Sequence, residues 1–202
     1  MENNQNATPN PAPKKWADAT PAGLVALAVA CACFFAMLNG YVKKPDALPI
    51  IGCWLLGGFV VQLLVALTDL KEGKHAGGNT FTYFSAFFML VSGIEMFVKY
   101  KLGAAADTRV DGYAWVVLTL VTWAWTPAFF KKINLLSFII IAIDIALPFV
   151  ALGDFKLLPA NAAEGLLQIS AWAFFTAGLI AVYLSAALVV NTAHDKKIFP
   201  NF

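Results

Sequence analysis

Apolar residues gather into six long runs along this chain: Pro21 to Tyr41, Leu48 to Leu70, Thr80 to Val98, Tyr113 to Phe130, Ile133 to Leu152 and Gly165 to Asn191. Runs of this length match the roughly 20 residues that a helix needs to cross the hydrocarbon of a bilayer. The connections are short and polar, as in "KKPD" and "KEGKHAGGN", and no internal repeat is visible beyond the shared apolar character. The pattern predicts an all-α membrane protein built as a six-transmembrane-helix bundle. Pro21 suits the first turn of the first helix. Residues 1–20 are polar and proline-rich and are expected to form a disordered tail. Residues 21–192 form the six-helix domain, and 193–202 a short polar C-terminal tail.

Composition changes the solvent more than the topology. Of 202 residues, 60% are hydrophobic and 13% charged, against about 25% charged in a soluble domain. Mean hydropathy is +0.71. A net charge of +2, with no basic stripe interleaved with aromatics, does not indicate nucleic-acid binding. The first 20 residues lack the apolar core of a cleavable signal peptide, so the helix that follows is expected to drive insertion. Cys31, Cys33 and Cys53 all fall inside apolar runs and read as small residues packed between helices. A C-x-C pair without a nearby histidine does not read as a metal site.

An even number of spans places both termini on one side. That side carries Lys14, Lys15, Lys71, Lys74, Lys131, Lys132, Lys196 and Lys197; the other carries Lys43, Lys44, Lys99, Lys101, Arg109 and Lys156. Eight cations against six point to cytoplasmic termini in the cell's inner (plasma) membrane. Ala22, Ala26 and Ala30 in the first helix, Gly57 and Gly58 in the second, and Ala177, Ala181 and Ser185 in the sixth would let backbones approach closely. Trp16, Trp54, Trp115 and Trp172 lie near run ends, as an interfacial belt requires.

No catalytic constellation emerges, and the chain does not read as an enzyme. His75, in a connection, and His194, near the C-terminus, lie outside any triad or metal spacing. The informative polar residues lie in the helices. Gln62 is deep in the second run, with Asp69 two turns on; Glu95 can pair with Lys99 across an i, i+4 spacing. Asn79 or Thr80 reads as the N-cap of the third helix, with free amides that attract carboxylates. Asp144 stands alone among Ile, Leu, Phe, Val and Ala. A charge there costs about 2.5 kcal/mol or more. Two readings follow: a carboxyl group donating a hydrogen bond to a neighbouring helix, or a group lining a water-containing pathway.

Several segments together resemble the acetate uptake transporter family. "GGFVVQLLVALTD" followed by "GNTF" matches the family's glycine-rich second helix, its Gln, its acidic residue and the next helix start. "KYKLG" is similar to the family's close of the third helix, and "AWAFFTAGLIAVYLSAALVVN" followed by "IFP" to its last helix. The departures are that "NPAP" is separated from "PAGL", that the acidic residue is Asp69 where Glu is usual, that "KHAG" is inserted, and that Thr82 replaces a glycine.

The resemblance implies a six-helix protomer with a central pathway, assembled as a homohexamer without cofactors or metals. It implies proton-linked or channel-like passage of acetate and similar small monocarboxylates, with succinate as a further candidate. Following the matched motifs, the family's narrow point falls at Leu27, Met89 and Ile143, where two aromatics have become aliphatic. Candidate polar residues along the path are Gln62, Asn79, Thr80, Ser85, Thr122 and Asp144. "FTYFSAFF" and "DGYAWVVL" also resemble urea and short-amide channels of similar architecture, which is the competing reading. A non-transporting membrane sensor or scaffold is the third; short loops and the absence of a soluble domain argue against it.

Overall fold

Six helices form in the order the apolar runs predict. The structure, a computed structural model, describes residues 16–131 and 133–200. Lys14, Lys15, Lys132 and most of the expected N-terminal tail lie outside the described residues. The helices are α1 (Thr20–Leu38), α2 (Leu48–Lys71), α3 (His75–Ala105), α4 (Arg109–Trp125), α5 (Leu135–Phe155) and α6 (Ala160–Ala193). All but α4 meet the length and apolarity of a membrane span; α4 has 17 residues and continues through a 3-10 turn over Thr126–Phe129. No strand occurs among the described residues.

The third helix begins earlier than expected. It opens at His75, so His75 is not in a loop, and Asn79 and Thr80 lie a full turn inside instead of capping it. Asn79 Nδ2 donates back to His75 O at 2.8 Å, and Gly78 N donates to Lys74 O at 2.9 Å. The free amides of this end therefore belong to residues before Asn79, and anion binding at Asn79 and Thr80 amides is lost. The glycines that look like helix breakers are selected for closeness. A Cβ on Gly78 would stand 2.7 Å from Leu70 Cγ.

Neighbouring helices pack as a ring. α1 lies against α2 and α6, α2 against α3, and α5 against α4 and α6. Side chains bridge the remaining α3–α4 seam. Tyr83 Oη and Thr122 Oγ1 are 2.6 Å apart, and Lys99 Nζ is 2.8 Å from Asp111 Oδ2. Ala28, Cys31 and Gly178 set the α1–α6 approach, where a Cβ on Gly178 would lie 3.2 Å from Cys31 Cβ. Ser185 Oγ donates to Pro21 O at 2.9 Å across the same interface. At the α2–α3 crossing the decisive glycines are Gly52 and Gly93, whereas Gly57 faces open space. Cys53 is exposed on α2 and does not pack between helices.

Two polar devices pin helix ends. Asn134 Oδ1 accepts from Leu136 N and Ser137 N at 3.0 and 3.3 Å, and Ser137 Oγ accepts from Asn134 N, a capping box that starts α5. Lys74 Nζ lies 3.2 Å from Asp18, 3.1 Å from Asp69 and 3.3 Å from Glu72, tying the chain before α1 to the α2–α3 turn. The last residues fold back: Asn191 Oδ1 accepts from Ile198 N and Phe199 N at 2.8 and 2.9 Å.

Candidate functional site

Short connections make successive helices antiparallel. The ends of α1, α3 and α5 therefore meet the starts of α2, α4 and α6 on one side. There they enclose a vestibule of about 250 Å³. Its polar lining is Lys44, Ser92, Glu95, Lys99, Thr108 and Asp154. The i, i+4 pair expected between Glu95 and Lys99 is present at 3.2 Å. Lys99 also reaches Asp111, so this ammonium is held between two carboxylates. Partial burial against the vestibule pushes the Lys44 ammonium below its usual range; nearby Asp154 opposes that shift and Lys99 adds to it.

Below the vestibule the path closes on three rings. Phe34 of α1, Phe88 of α3 and Phe174 of α6 have centroids 5.2, 5.7 and 5.7 Å apart and are almost fully buried. Such spacing is ring-to-ring contact, so the neck is shut to water. Within the π-helical stretch Phe84–Val91 of α3, Phe84 and Phe88 lie ring to ring at 5.3 Å, and Phe88 and the following Ser92 line the vestibule while Met89 does not.

Beyond the neck, toward the starts of α1, α3 and α5, lies a cleft of about 30 Å³, room for about one or two waters. Leu24, Leu27, Gln62, Thr80, Phe84 and Ile143 are among its lining. Its wall is apolar at the surface. Gln62 is wholly buried; Nε2 donates to Gly23 O over a long 3.5 Å, and Oε1 has no partner among the described residues.

The structure thus brings together only part of the residues singled out by sequence. Leu27, Ile143, Gln62 and Thr80 share the inner cleft. Met89 packs against Gly58 of α2, where a Cβ would meet its sulfur at 3.0 Å. Ser85 Oγ donates to Thr82 O, Thr122 Oγ1 donates to Leu118 O, and Asn79 sits exposed at the start of α3. Asp144 Oδ2 lies 2.6 Å from Thr126 Oγ1 at the end of α4. Sequence reasoning missed Phe34, Phe88 and Phe174, because aromatics inside apolar runs carry no contrast. It also missed Lys44, counted only among the cations of one side, and Asp154, not singled out at all; their signal was a mouth where three connections converge.

No family model matches the chain. It is 23% identical over 154 residues to the succinate-acetate/proton symporter SatP of Escherichia coli K12, covering 75% of this chain and 78% of that one. The same identity and coverage hold for SatP of Shigella flexneri. Among solved structures, the bacterial acetate channel SatP superposes with a TM-score of 0.78 at 20% identity, over 92% of this chain and 99% of that one. The chain therefore has that fold, and the resemblance to the acetate uptake transporters read from the helix motifs is borne out.

Proposed function

We propose that this integral membrane protein is a channel or transporter for acetate and similar small monocarboxylates, with succinate as a further substrate. The observation that supports this most directly is the path itself: a polar vestibule, an aromatic neck and an apolar cleft in line through one protomer. Leu27 and Ile143 on the far side of the rings complete the constriction, with Gln62 and Thr80 beside them. The relatives' names point to the same substrate class.

Magnitudes favour passage of the neutral acid. A small carboxylic acid has a pKa of about 4 to 5, so protonating it at neutral pH costs about 3 to 4 kcal/mol. Taking a bare carboxylate through an apolar neck costs several kcal/mol even after relaxation and water penetration. Proton-linked movement is the cheaper route. A neutral acid leaves the neck's apolar walls with no charge to compensate.

The assembly reading is a homohexamer in the inner membrane with cytoplasmic termini. The large apolar side chains on the outer face of α2, among them Trp54, Val60, Leu64 and Leu67, suit lipid or a neighbouring protomer. Mass measurement of the particle in native lipid discs tests the hexamer, and protease access to either tail in sealed vesicles tests the orientation.

Flux of labelled acetate and labelled urea into liposomes holding the purified chain decides the substrate class. Acetate uptake that rises as the outside is acidified is expected. Urea permeation without acetate flux overturns the reading, and no flux of either solute turns it toward a sensor or scaffold.

A further inference from the structure

We infer that the vestibule is a loading site in which Lys44 binds the carboxylate of the incoming acid and Asp154 carries the proton that leaves with it. The inference rests on the carboxylate-transport reading above and adds residues to it.

Four charged groups line this cavity, and a fifth, Asp111, stands against Lys99. Lys44 comes from the α1–α2 connection, Glu95 and Lys99 from α3, Asp111 from α4 and Asp154 from α5. Lys99 is engaged by Glu95 at 3.2 Å and by Asp111 at 2.8 Å. Lys44 and Asp154 both line the cavity, and neither makes an ion pair within 4.0 Å among the described residues. They are close enough to feel each other's charge, and Asp154 also feels Lys99, Asp111 and the neighbouring Lys156. The vestibule therefore offers one cation not yet claimed, beside one carboxylate not yet compensated.

A charge count assigns the proton. With every lining group ionised, the Lys44 and Lys99 ammoniums face the Glu95 and Asp154 carboxylates, a sum of zero. An anion docked on Lys44 would take the funnel to −1, where apolar walls weaken screening. One proton taken up by the cluster removes that penalty. Glu95 and Asp111 each have the Lys99 ammonium within ion-pair distance, at 3.2 and 2.8 Å. Asp154 has no such partner and is the group left to accept the proton.

The cycle balances. Asp154 takes a proton from water at the mouth, and the substrate carboxylate docks on the Lys44 ammonium. At the neck the Asp154 O–H bond breaks and an O–H bond forms on the substrate. Asp154 regains its negative charge, and the neutral acid passes Phe88. The sum is one carboxylate and one proton in, one carboxylic acid through. The sum of lining charges is zero when the site is empty and zero again when it holds one proton and one carboxylate, so an occupied mouth is no harsher than a vacant one.

The test uses the full chain in proteoliposomes with labelled acetate, at outside pH between about 5 and 8, where most acetate is anionic. Wild-type uptake is expected to rise steadily with acidification. Asp154→Asn is expected to flatten that dependence to within about twofold, and Asp154→Glu to restore it. Lys44→Gln lies in a connection and leaves the bundle intact. Loss of a charge-assisted bond there is expected to raise the half-saturating acetate concentration about tenfold or more, with the maximal rate within about twofold. Either Asp154→Asn or Lys44→Gln behaving as wild type overturns the assignment. If wild type moves no acetate, the transport reading falls separately, and the site is judged by binding. Trp115 lines the vestibule, so a saturable fluorescence change with acetate that Lys44→Gln abolishes supports the site, and no change in wild type overturns it.

Discussion

Thr126 Oγ1 stands 2.6 Å from Asp144 Oδ2 and 2.8 Å from the backbone oxygen of Thr122. Its hydroxyl donates to the Asp144 carboxyl across the α4–α5 seam, with the Thr122 backbone oxygen as the second acceptor one turn back. Trp123 Nε1 adds a bond to the backbone oxygen of Asp144 at 3.1 Å. The acid in the middle of α5 thus latches that helix to the end of α4. It does not line the vestibule or the inner cleft.

Asp144→Asn keeps an acceptor oxygen for the Thr126 hydroxyl at the same place, so acetate uptake should stay within about twofold of wild type. Asp144→Ala removes the latch and should cost about 1 kcal/mol, the scale of single interhelical hydrogen bonds in membranes. Thermal unfolding in detergent measures the second effect, and liposome uptake the first. Loss of acid-driven uptake in a normally assembled Asp144→Asn protein would show a proton-relay role instead.

Phe88 lies 5.2 and 5.7 Å from the Phe34 and Phe174 rings of the neck. Phe88→Ala should open a gap there, at a stability cost of about 3 kcal/mol for a buried aromatic. Flux of four- and five-carbon acids relative to acetate should then rise about tenfold. An unchanged ratio of butyrate to acetate flux would remove the rings from the rate-limiting constriction.

At the α2–α3 crossing, a Cβ on Gly52 would lie 2.8 Å from Gly93 O and 2.7 Å from the Phe97 ring. The carbonyl belongs to helix backbone and cannot swing aside. Gly52→Ala should destabilise by about 2 kcal/mol, within the range for overpacking a tight contact. Gly57→Ala, on open space in the same helix, should be nearly silent. Paired melting curves check the contrast.

Lys74 anchors the opposite end of the bundle. Burial alone would lower its pKa, but hydrogen bonds to Asp69 and Asp18 outweigh that and raise it above the usual 10.5. Burial likewise acts to raise the Asp18 carboxyl, and bonds from Thr20 and Lys74 prevail to bring it below the usual 3.8. The Lys74 contribution is complete below pH 10.5 and is lost as pH rises through its higher folded value. The Asp18 contribution is complete above pH 3.8 and is lost as pH falls through its lower folded value. The clamp should therefore be strongest between roughly pH 4 and 10. Lys74→Met should cost about 2 kcal/mol, less than a fully buried pair because Lys74 is partly exposed. The penalty should shrink outside that window, which melting temperatures against pH will show.

The number of helices, their order and most of their ends were legible in the chain, because lipid leaves so few solutions for an apolar run of about 20 residues. The larger boundary differences are that α6 opens at Ala160 where Gly165 was expected, and that α3 runs to Ala105 where Val98 was expected and opens at His75 where Thr80 was expected, ahead of Gly77 and Gly78. Their role is to let α3 start against Leu70 and Asp69, a demand that exists only once α2 is in place. Small residues on α1 and α6 announced a close approach correctly at Ala26, Ala30, Ala177 and Ala181, all buried.

What the sequence by itself determined was the membrane fold and the family likeness carried by ordered motifs. Tertiary structure alone decided which residues face the path. Within the π-helical stretch of α3, Phe88 lines the vestibule while the next residue, Met89, packs against Gly58, a partition that motif counting cannot supply. Lys44 and Asp154 are 110 residues apart, and only the folding of α5 beside the α1–α2 connection brings them to one mouth. Asp144, the most conspicuous polar residue in the sequence, meets Thr126 through Oδ2 because α4 ends there, while its buried Oδ1 has no partner among the described residues. Apolarity is a property of each residue and survives in one dimension; direction is a property of packed helices.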